Sequence, residues 1–144
     1  MICYDLSADA EVTVRPEDTA RSIALTPDDA FPEVFATSRM IALMELAAAR
    51  AMAPLLRAGQ LSVGVSIDVR HTAATAVGSQ VRAIATYLRS DNRFMYFHVE
   101  AFDDSGPIGN GEHARVIVEE SRLVTGAERR RRTGAAFTHS NATV

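Results

Sequence analysis

The sequence predicts one α+β domain in which a long helix precedes an antiparallel sheet. The chain has 144 residues and 47% of them are hydrophobic, which is enough to bury a core. Between residues 37 and 55, apolar residues recur at the spacing of one helix face. Four segments rich in Val and Ile follow, and the short turns between them favour antiparallel neighbours over crossover units.

The elements before the sheet are a short strand and the long helix. Residues 11–14 alternate between polar and apolar types and predict an edge strand. The helix is expected to begin at Thr37 or Ser38, since either side chain is able to cap it, and to end before Gly59. Its apolar stripe consists of Met40, Met44, Ala47, Ala48, Ala51 and Leu55. Further apolar residues lie off this stripe, so we expect the helix to be buried on most sides.

The predicted strands span residues 61–71, 80–88, 93–102 and 108–120. We expect them to wrap about the helix as one antiparallel sheet. Gly64 interrupts the first of them, which indicates a β-bulge or a close backbone approach. Residues 1–126 are therefore predicted to form the domain, and residues 127–144, which have no hydrophobic period, a disordered Arg-rich tail.

Charge and cysteine content exclude several classes of protein. All 15 basic residues are Arg and the net charge is −3, but the tail carries +3 and the remainder −6. An acidic domain argues against a nucleic-acid partner, which requires a clustered basic face. The single cysteine, Cys3, excludes an internal disulfide and a Cys-based zinc site. Without a signal peptide or a membrane-length apolar run, we expect a cytoplasmic protein with no membrane partner, and neither a metal nor a cofactor is expected.

Glu45 is the most informative single residue. It lies in the middle of the predicted helix, and its neighbours three and four positions away are Ile41, Ala42, Ala48 and Ala49. No cation on its own helix face is placed to neutralise it, and a buried carboxylate without a partner is costly. Two interpretations remain open. Glu45 reaches past the helix edge to water or to an Arg on the sheet, or it is a catalytic carboxylate in an apolar cleft.

Three other residues have both a functional and a structural interpretation. His71 ends a strand and is either an acid, base or electrostatic stabiliser or a hydrogen-bonded loop histidine. Thr37 is explained by helix capping alone. Arg115 alternates with charged and polar neighbours on the last strand, and a surface ion pair is its default interpretation.

Three blocks of the sequence closely resemble one known family. They are FPEVFATSRMIALMELAAARAMAPLL at residues 31–56, SVGVSIDVRHTAAT at 62–75 and GPIGNGEHARVIV at 106–118. These blocks resemble the fluoroacetyl-CoA thioesterase family of hotdog-fold proteins. They occur in the same order as in that family, and the spacings between them are kept. The resemblance covers roughly residues 30 to 120. It implies a hotdog fold, a homodimer with sites at the subunit interface and hydrolysis of an acyl-CoA or acyl-carrier thioester.

The resemblance also implies roles for individual residues. The family's catalytic Thr, Glu and His correspond to Thr37, Glu45 and His71. Its substrate-binding residues correspond to Gly64, Arg115 and the lid residue Phe31. The sequence departs from the pattern at two positions, where Asp28 replaces a second lid aromatic and Leu46 replaces a Trp. These departures concern selectivity for a fluorinated acyl group and leave thioester cleavage as the expected reaction.

Helix geometry adds a constraint to this assignment. Thr37 and Glu45 are eight residues apart, which is about 12 Å along a straight helix. They are too distant to touch one reacting atom from the same helix body. We therefore expect Thr37 at or before the helix start and a site that is closed by a second subunit.

Two alternatives stay open at this stage. One is an enoyl-thioester hydratase on the same fold, although the Asp-plus-His helix motif associated with such enzymes is not visible. The other is a non-catalytic acyl-thioester-binding hotdog protein, against which the joint presence of Thr37, Glu45 and His71 argues.

Overall fold

The computed structural model describes residues 5–134 and has one helix wrapped by a five-stranded sheet. Its elements are β1 (Ser7–Thr13), α1 (Thr37–Met52), β2 (Gln60–His71), β3 (Gln80–Asp91), β4 (Phe94–Asp103), β5 (Gly106–Glu119) and α2 (Glu120–Thr133). Two short 3₁₀ helices, Pro16–Asp18 and Ala20–Ile23, follow β1, and a third, Ala53–Leu55, follows α1. This arrangement confirms the expected α+β hotdog fold.

The sheet is antiparallel throughout, with strand order β1-β3-β4-β5-β2. The predicted short strand is β1, which lies at one edge and pairs with β3. The other edge is β2, which pairs along its whole length with β5. A tight turn at Asn92, whose φ of 58° suits an Asn, joins β3 to β4. The fold therefore leaves the outer side of β2 unpaired within the described chain.

Small residues bring the helix close to the sheet. The buried face of α1 consists of Met40, Leu43, Met44, Ala47, Ala48, Ala51 and Met52. The sheet meets it with Val81, Ala83, Ala85, Phe97, Val99 and Ala101, all fully buried. The alanines on both sides allow a short helix-to-sheet distance, and the methionines fill the remaining space because their side chains adapt to irregular gaps.

The prediction that α1 is buried on most sides is only partly right. Leu46 is 43% exposed and Ala42 is also exposed, while Ile41 and Ala49 are partly buried. These four residues lie on one side of the helix, around Glu45. We call Ile41, Ala42, Leu46 and Ala49 the open helix strip.

The prediction of disorder from residue 127 onward is wrong for residues 127–133, which belong to α2. This helix has no buried residue, so it lacks the apolar period on which the prediction relied. Arg, Glu and Ala have high helix propensity, and Gly134 in the left-handed conformation follows the last turn. Residues 135–144 lie outside the described part of the chain. Within residues 5–134, no helix is both long and apolar enough to cross a membrane.

Candidate active site

Glu45 lies against the backbone of Gly64. The helix α1 directs the Glu45 side chain at β2, where Gly64 presents no side chain of its own. A Cβ atom added to Gly64 would overlap Glu45 Oε1 and lie 3.0 Å from the His113 ring. The register of β2 against β5 shifts between Gly64 and Ser66, which makes Val65 the residue of a β-bulge. Both predictions for Gly64, a bulge and a close approach, are confirmed.

Arg115 faces Glu45 from the strand next to β2. Its backbone is paired with that of Gly64, and the residue is only 6% exposed. The guanidinium Nη1 lies 3.7 Å from Glu45 Oε1, while Nε donates to Ser62 Oγ at 3.0 Å and Nη2 to the Ser62 carbonyl at 2.8 Å. The predicted surface ion pair is therefore wrong, because this side chain points to the inside of the sheet. Of the interpretations left open for Glu45, contact with an Arg on the sheet is thus observed, and that residue is Arg115.

His113 completes this group and was not predicted from the sequence. It is 1% exposed, and its Nε2 lies 3.1 Å from Arg115 Nη1. Because a guanidinium has only donors, Nε2 must accept, so the proton of the neutral ring is on Nδ1 and is donated to the Ser66 carbonyl at 2.7 Å. One signal was available, since residues two apart on a strand share a face. We call Glu45, Gly64, His113 and Arg115 the carboxylate cluster.

Burial controls the charge of the two basic groups in this cluster. It lowers the pKa of His113 below its ordinary value, and the neighbouring Arg115 charge lowers it further, against raising effects of the Ser66 hydrogen bond and Glu45. Burial also lowers the pKa of Arg115, and the Glu45 charge opposes that effect. An arginine nevertheless stays protonated at neutral pH. The cluster thus contains one fixed positive charge, one neutral imidazole and a carboxylate whose side chain is 44% exposed.

A second group of predicted site residues lies at the start of α1. Thr37 is the first residue of the helix, and its Oγ1 lies 2.8 Å from Nδ1 of His71 at the end of β2. The prediction that Thr37 or Ser38 caps the helix is wrong. The N-cap is Ala36, which has no side chain able to cap, and the Thr37 hydroxyl is hydrogen-bonded to the histidine instead.

His71 has one free ring nitrogen. Its Nε2 is buried and has no hydrogen-bond partner among the residues that the structure describes. Burial lowers the pKa of His71 from its ordinary value of 6.5, and a hydrogen bond with the backbone of Ala73 opposes this shift. The ring is thus neutral at pH 7 and presents Nε2 for a proton or for a ligand.

The two groups are separated within one chain. Thr37 and Glu45 lie on the same helix about 12 Å apart along its axis, and Gly64 and His71 are up to roughly 23 Å apart along β2. The structure therefore brings Thr37 to His71, and Glu45 to Gly64 and Arg115, but leaves these as two half-sites. The expectation that Thr37 stands at the helix start is confirmed.

The remaining predicted site residue is Phe31. It precedes α1, is 46% exposed, and its function as a substrate lid stays a prediction. Leu46 lies next to Glu45 on the open helix strip. Within residues 5–134, no group of three potential ligands is placed to hold a metal ion.

The two histidines with lowered pKa values, His71 and His113, predict how stability depends on pH. The unfolded chain has histidines of ordinary pKa near 6.5, whereas burial lowers the pKa of both His71 and His113 in the fold. Below pH 6.5 the unfolded state therefore binds more protons, and acidification favours unfolding. We expect the temperature of the unfolding midpoint to decrease when the pH is lowered from about 7.5 to about 5.5.

The variant His113→Gln separates the two contributions. It removes one titrating ring, so its unfolding midpoint should change less over the same pH range than that of the wild type. The carboxyls of Asp29 and Asp103, whose pKa values are lowered from 3.8, lose their stabilising effect only at lower pH. A wild-type midpoint that stays constant or rises on acidification contradicts the expected neutral, buried histidines.

The chain matches one family over most of its length. The model of a family described as fluoroacetyl-CoA-specific thioesterase matches residues 14–121, which include every member of both half-sites. The fluoroacetyl-CoA thioesterase of Streptantibioticus cattleyicolor is 42% identical to this chain over 110 residues. That alignment covers 75% of this chain and 79% of the relative.

Solved structures share the fold over nearly the whole domain. A mutant of the fluoroacetyl-CoA thioesterase FlK in complex with acetyl-CoA has a TM-score of 0.84 and 34% identity, covering 90% of this chain and 98% of that chain. A thioesterase superfamily member from Thermus thermophilus has a TM-score of 0.82 and 28% identity, covering 95% and 98% of the two chains. The similarity thus includes the strands and the helix that carry both half-sites.

Proposed function

The chain belongs to the fluoroacetyl-CoA-specific thioesterase family, and we propose that it hydrolyses a small acyl-CoA thioester to the free acid and coenzyme A. The observation that carries this proposal is the carboxylate of Glu45 against the side-chain-free backbone of Gly64. This placement sets a carboxylate beside a partly exposed stretch of backbone and 3.7 Å from the Arg115 guanidinium. Complexes of the FlK relative with acetyl-CoA, and with fluoroacetate and CoA, support the substrate class.

We propose further that the active form is a homodimer with sites at the interface. Three features support it: the half-sites of one chain are separated, the open helix strip exposes apolar side chains beside Glu45, and β2 is a long unpaired edge. An exposed edge strand of this length is a liability unless something covers it. In the dimer, Thr37 and His71 of one subunit act with the carboxylate cluster of the other.

Glu45 acts on the thioester carbonyl by one of two routes. As a general base it takes a proton from water, whose oxygen attacks the carbonyl carbon. As a nucleophile its carboxylate attacks that carbon directly, and water then hydrolyses the resulting mixed anhydride. In both routes the C–S bond breaks and the products are an acid and a thiol. The bulge at Val65 takes a backbone N–H out of the β-ladder beside Gly64, where it is a candidate donor to the oxyanion.

His71 handles the proton of the leaving group. In the general-base route, the neutral ring first accepts at its unpartnered Nε2 the proton that Glu45 has taken from water, and then passes it to the departing thiolate. Thr37 fixes the ring through Nδ1. The Arg115 guanidinium stabilises the negative charge of Glu45 from 3.7 Å away. Phe31 bounds the acyl group together with Asp28 and Leu46, which stand where family members have aromatic residues. These side chains determine which acids are released.

The test is release of free thiol from a panel of acyl-CoA esters. The panel contains fluoroacetyl-, acetyl-, propionyl-, isobutyryl- and benzoyl-CoA, together with acetyl-pantetheine to separate recognition of the acyl group from that of the nucleotide. We expect turnover of at least one small acyl-CoA. The matched control is the double variant Thr37→Ala, His71→Ala, which should lose thiol release while its thermal unfolding stays cooperative.

The same panel, with crotonyl-CoA added, decides between the proposed function and its alternatives. Tight binding of acyl-CoA without thiol release would identify a binding protein and contradict the proposal. Loss of the conjugated double bond of crotonyl-CoA without thiol release would identify a hydratase.

We also propose a cytoplasmic location, in keeping with a single cysteine and an acyl-CoA substrate.

A further inference from the structure

We propose that His113 is a positioning residue that holds the Arg115 guanidinium on its own ring and prevents it from closing onto Glu45. This inference rests on the proposed function of Glu45. It deepens that function because the reactivity of the carboxylate depends on whether the neighbouring cation bonds to it directly.

The hydrogen bonds of Arg115 account for this arrangement. A guanidinium has five N–H donors. Two are taken by Oγ and the carbonyl of Ser62, and a third, on Nη1, by Nε2 of His113. The same Nη1 lies 3.7 Å from Glu45 Oε1, which is within ion-pair range but too long for a hydrogen bond. His113 is therefore the group that determines how near Nη1 comes to the carboxylate.

His113 is itself fixed from its other side. Its Nδ1–H donates to the carbonyl of Ser66, directly after the bulge that brings Gly64 to Glu45. The ring is almost fully buried, and this hydrogen bond sets its orientation. The bulge thus fixes the imidazole and, through it, Arg115. Glu45 then keeps an unbonded carboxylate oxygen next to a positive charge.

Removal of the acceptor should change the geometry in one direction. A buried N–H on Nη1 without a partner is costly. Glu45 Oε1 is the nearest available acceptor, so the guanidinium is expected to close onto it. A carboxylate that accepts a charge-assisted hydrogen bond is a weaker base and a weaker nucleophile.

Two isosteric variants separate this function from a merely structural one. In His113→Asn, the amide nitrogen occupies the place of Nδ1, so the bond to Ser66 is kept and the acceptor for Arg115 is lost. In His113→Gln, the amide oxygen occupies the place of Nε2, so the acceptor for Arg115 is kept and the bond to Ser66 is lost. Both variants remove the ring, and both should unfold at lower temperature than the wild type.

Kinetics and NMR spectroscopy give independent readouts. The Asn variant should lose up to about 100-fold in kcat with little change in KM, whereas the Gln variant should recover most of that loss. Equal losses in the two variants, or a larger loss in the Gln variant, would overturn the proposal. ¹⁵N spectra of the histidine rings at neutral pH should show His113 protonated on Nδ1 alone. Protonation on Nε2 would also overturn it.

The NMR measurement requires no substrate. If the wild type releases no thiol from any ester, the proposed function fails, and the ring tautomer with the protection of the Arg115 Nη1–H still decides whether His113 holds the guanidinium. We expect that N–H to exchange slowly with solvent in the wild type and in the Gln variant. Rapid exchange in the wild type would contradict the buried network.

Discussion

Replacement of Glu45 by Gln is expected to reduce kcat for thioester hydrolysis by about 10³-fold. The amide has nearly the shape of the carboxylate, so it should still fit against Gly64. It has neither the basicity to activate water nor the charge to attack a carbonyl. Since Glu45 is half-exposed, the free energy of unfolding should change by no more than about 1 kcal/mol. Thiol release and chemical denaturation measure the two effects.

The matched control is Glu100→Gln, which makes the same substitution at a partly exposed position on the outer face of the sheet. Glu100 pairs with His98 there, and neither residue belongs to a half-site. We expect this variant to retain wild-type turnover. If Glu45→Gln also retains it, Glu45 has no part in the reaction and the carboxylate cluster is not the active site.

Substitution of Gly64 by Ala should have the second largest effect. The added Cβ would occupy the position of Glu45 Oε1, and this carboxylate is able to move away because it ends a flexible, half-exposed side chain. The His113 ring, 3.0 Å away, needs to shift by only a few tenths of an ångström. We therefore expect a modest cost in stability, about 1 kcal/mol. Turnover should fall by about 100-fold because the displaced carboxylate no longer meets the carbonyl.

Gly126→Ala provides a control with identical chemistry. Gly126 lies in α2, and a Cβ there would meet no atom within 4 Å. Since Ala favours the helix by about 0.5–1 kcal/mol over Gly, this variant should be slightly more stable and fully active. If Gly64→Ala matches it in activity, the close approach of Glu45 to the backbone does not matter for the reaction.

The fold was predictable because its elements have distinct hydrophobic periods. The helix stripe has a spacing of three and four, and β4 has the strict alternation of a strand with one buried face. The helix α2 escaped this reasoning, because it has no buried residue and therefore no apolar stripe. Its propensity, and not its pattern, was the available signal.

The candidate site was predictable only in part. A carboxylate without a partner on its own helix identified Glu45, and a glycine among β-formers identified Gly64. The partners of Arg115 depend on how β2 and β5 are registered across the bulge, which no local pattern reveals. Nor does local pattern show that the Thr37 hydroxyl bonds to a histidine 34 residues away and leaves the cap to Ala36.

The most direct test of the shared active site is complementation between two inactive variants. His71→Ala and Glu45→Gln, each with a different affinity tag, are co-expressed and purified as a heterodimer. If each site takes His71 from one subunit and Glu45 from the other, one of the two sites is intact, and about half of the wild-type turnover per dimer should return. If each subunit carried a complete site, both sites would be broken. A heterodimer as inactive as its parent homodimers would contradict a site built from two subunits.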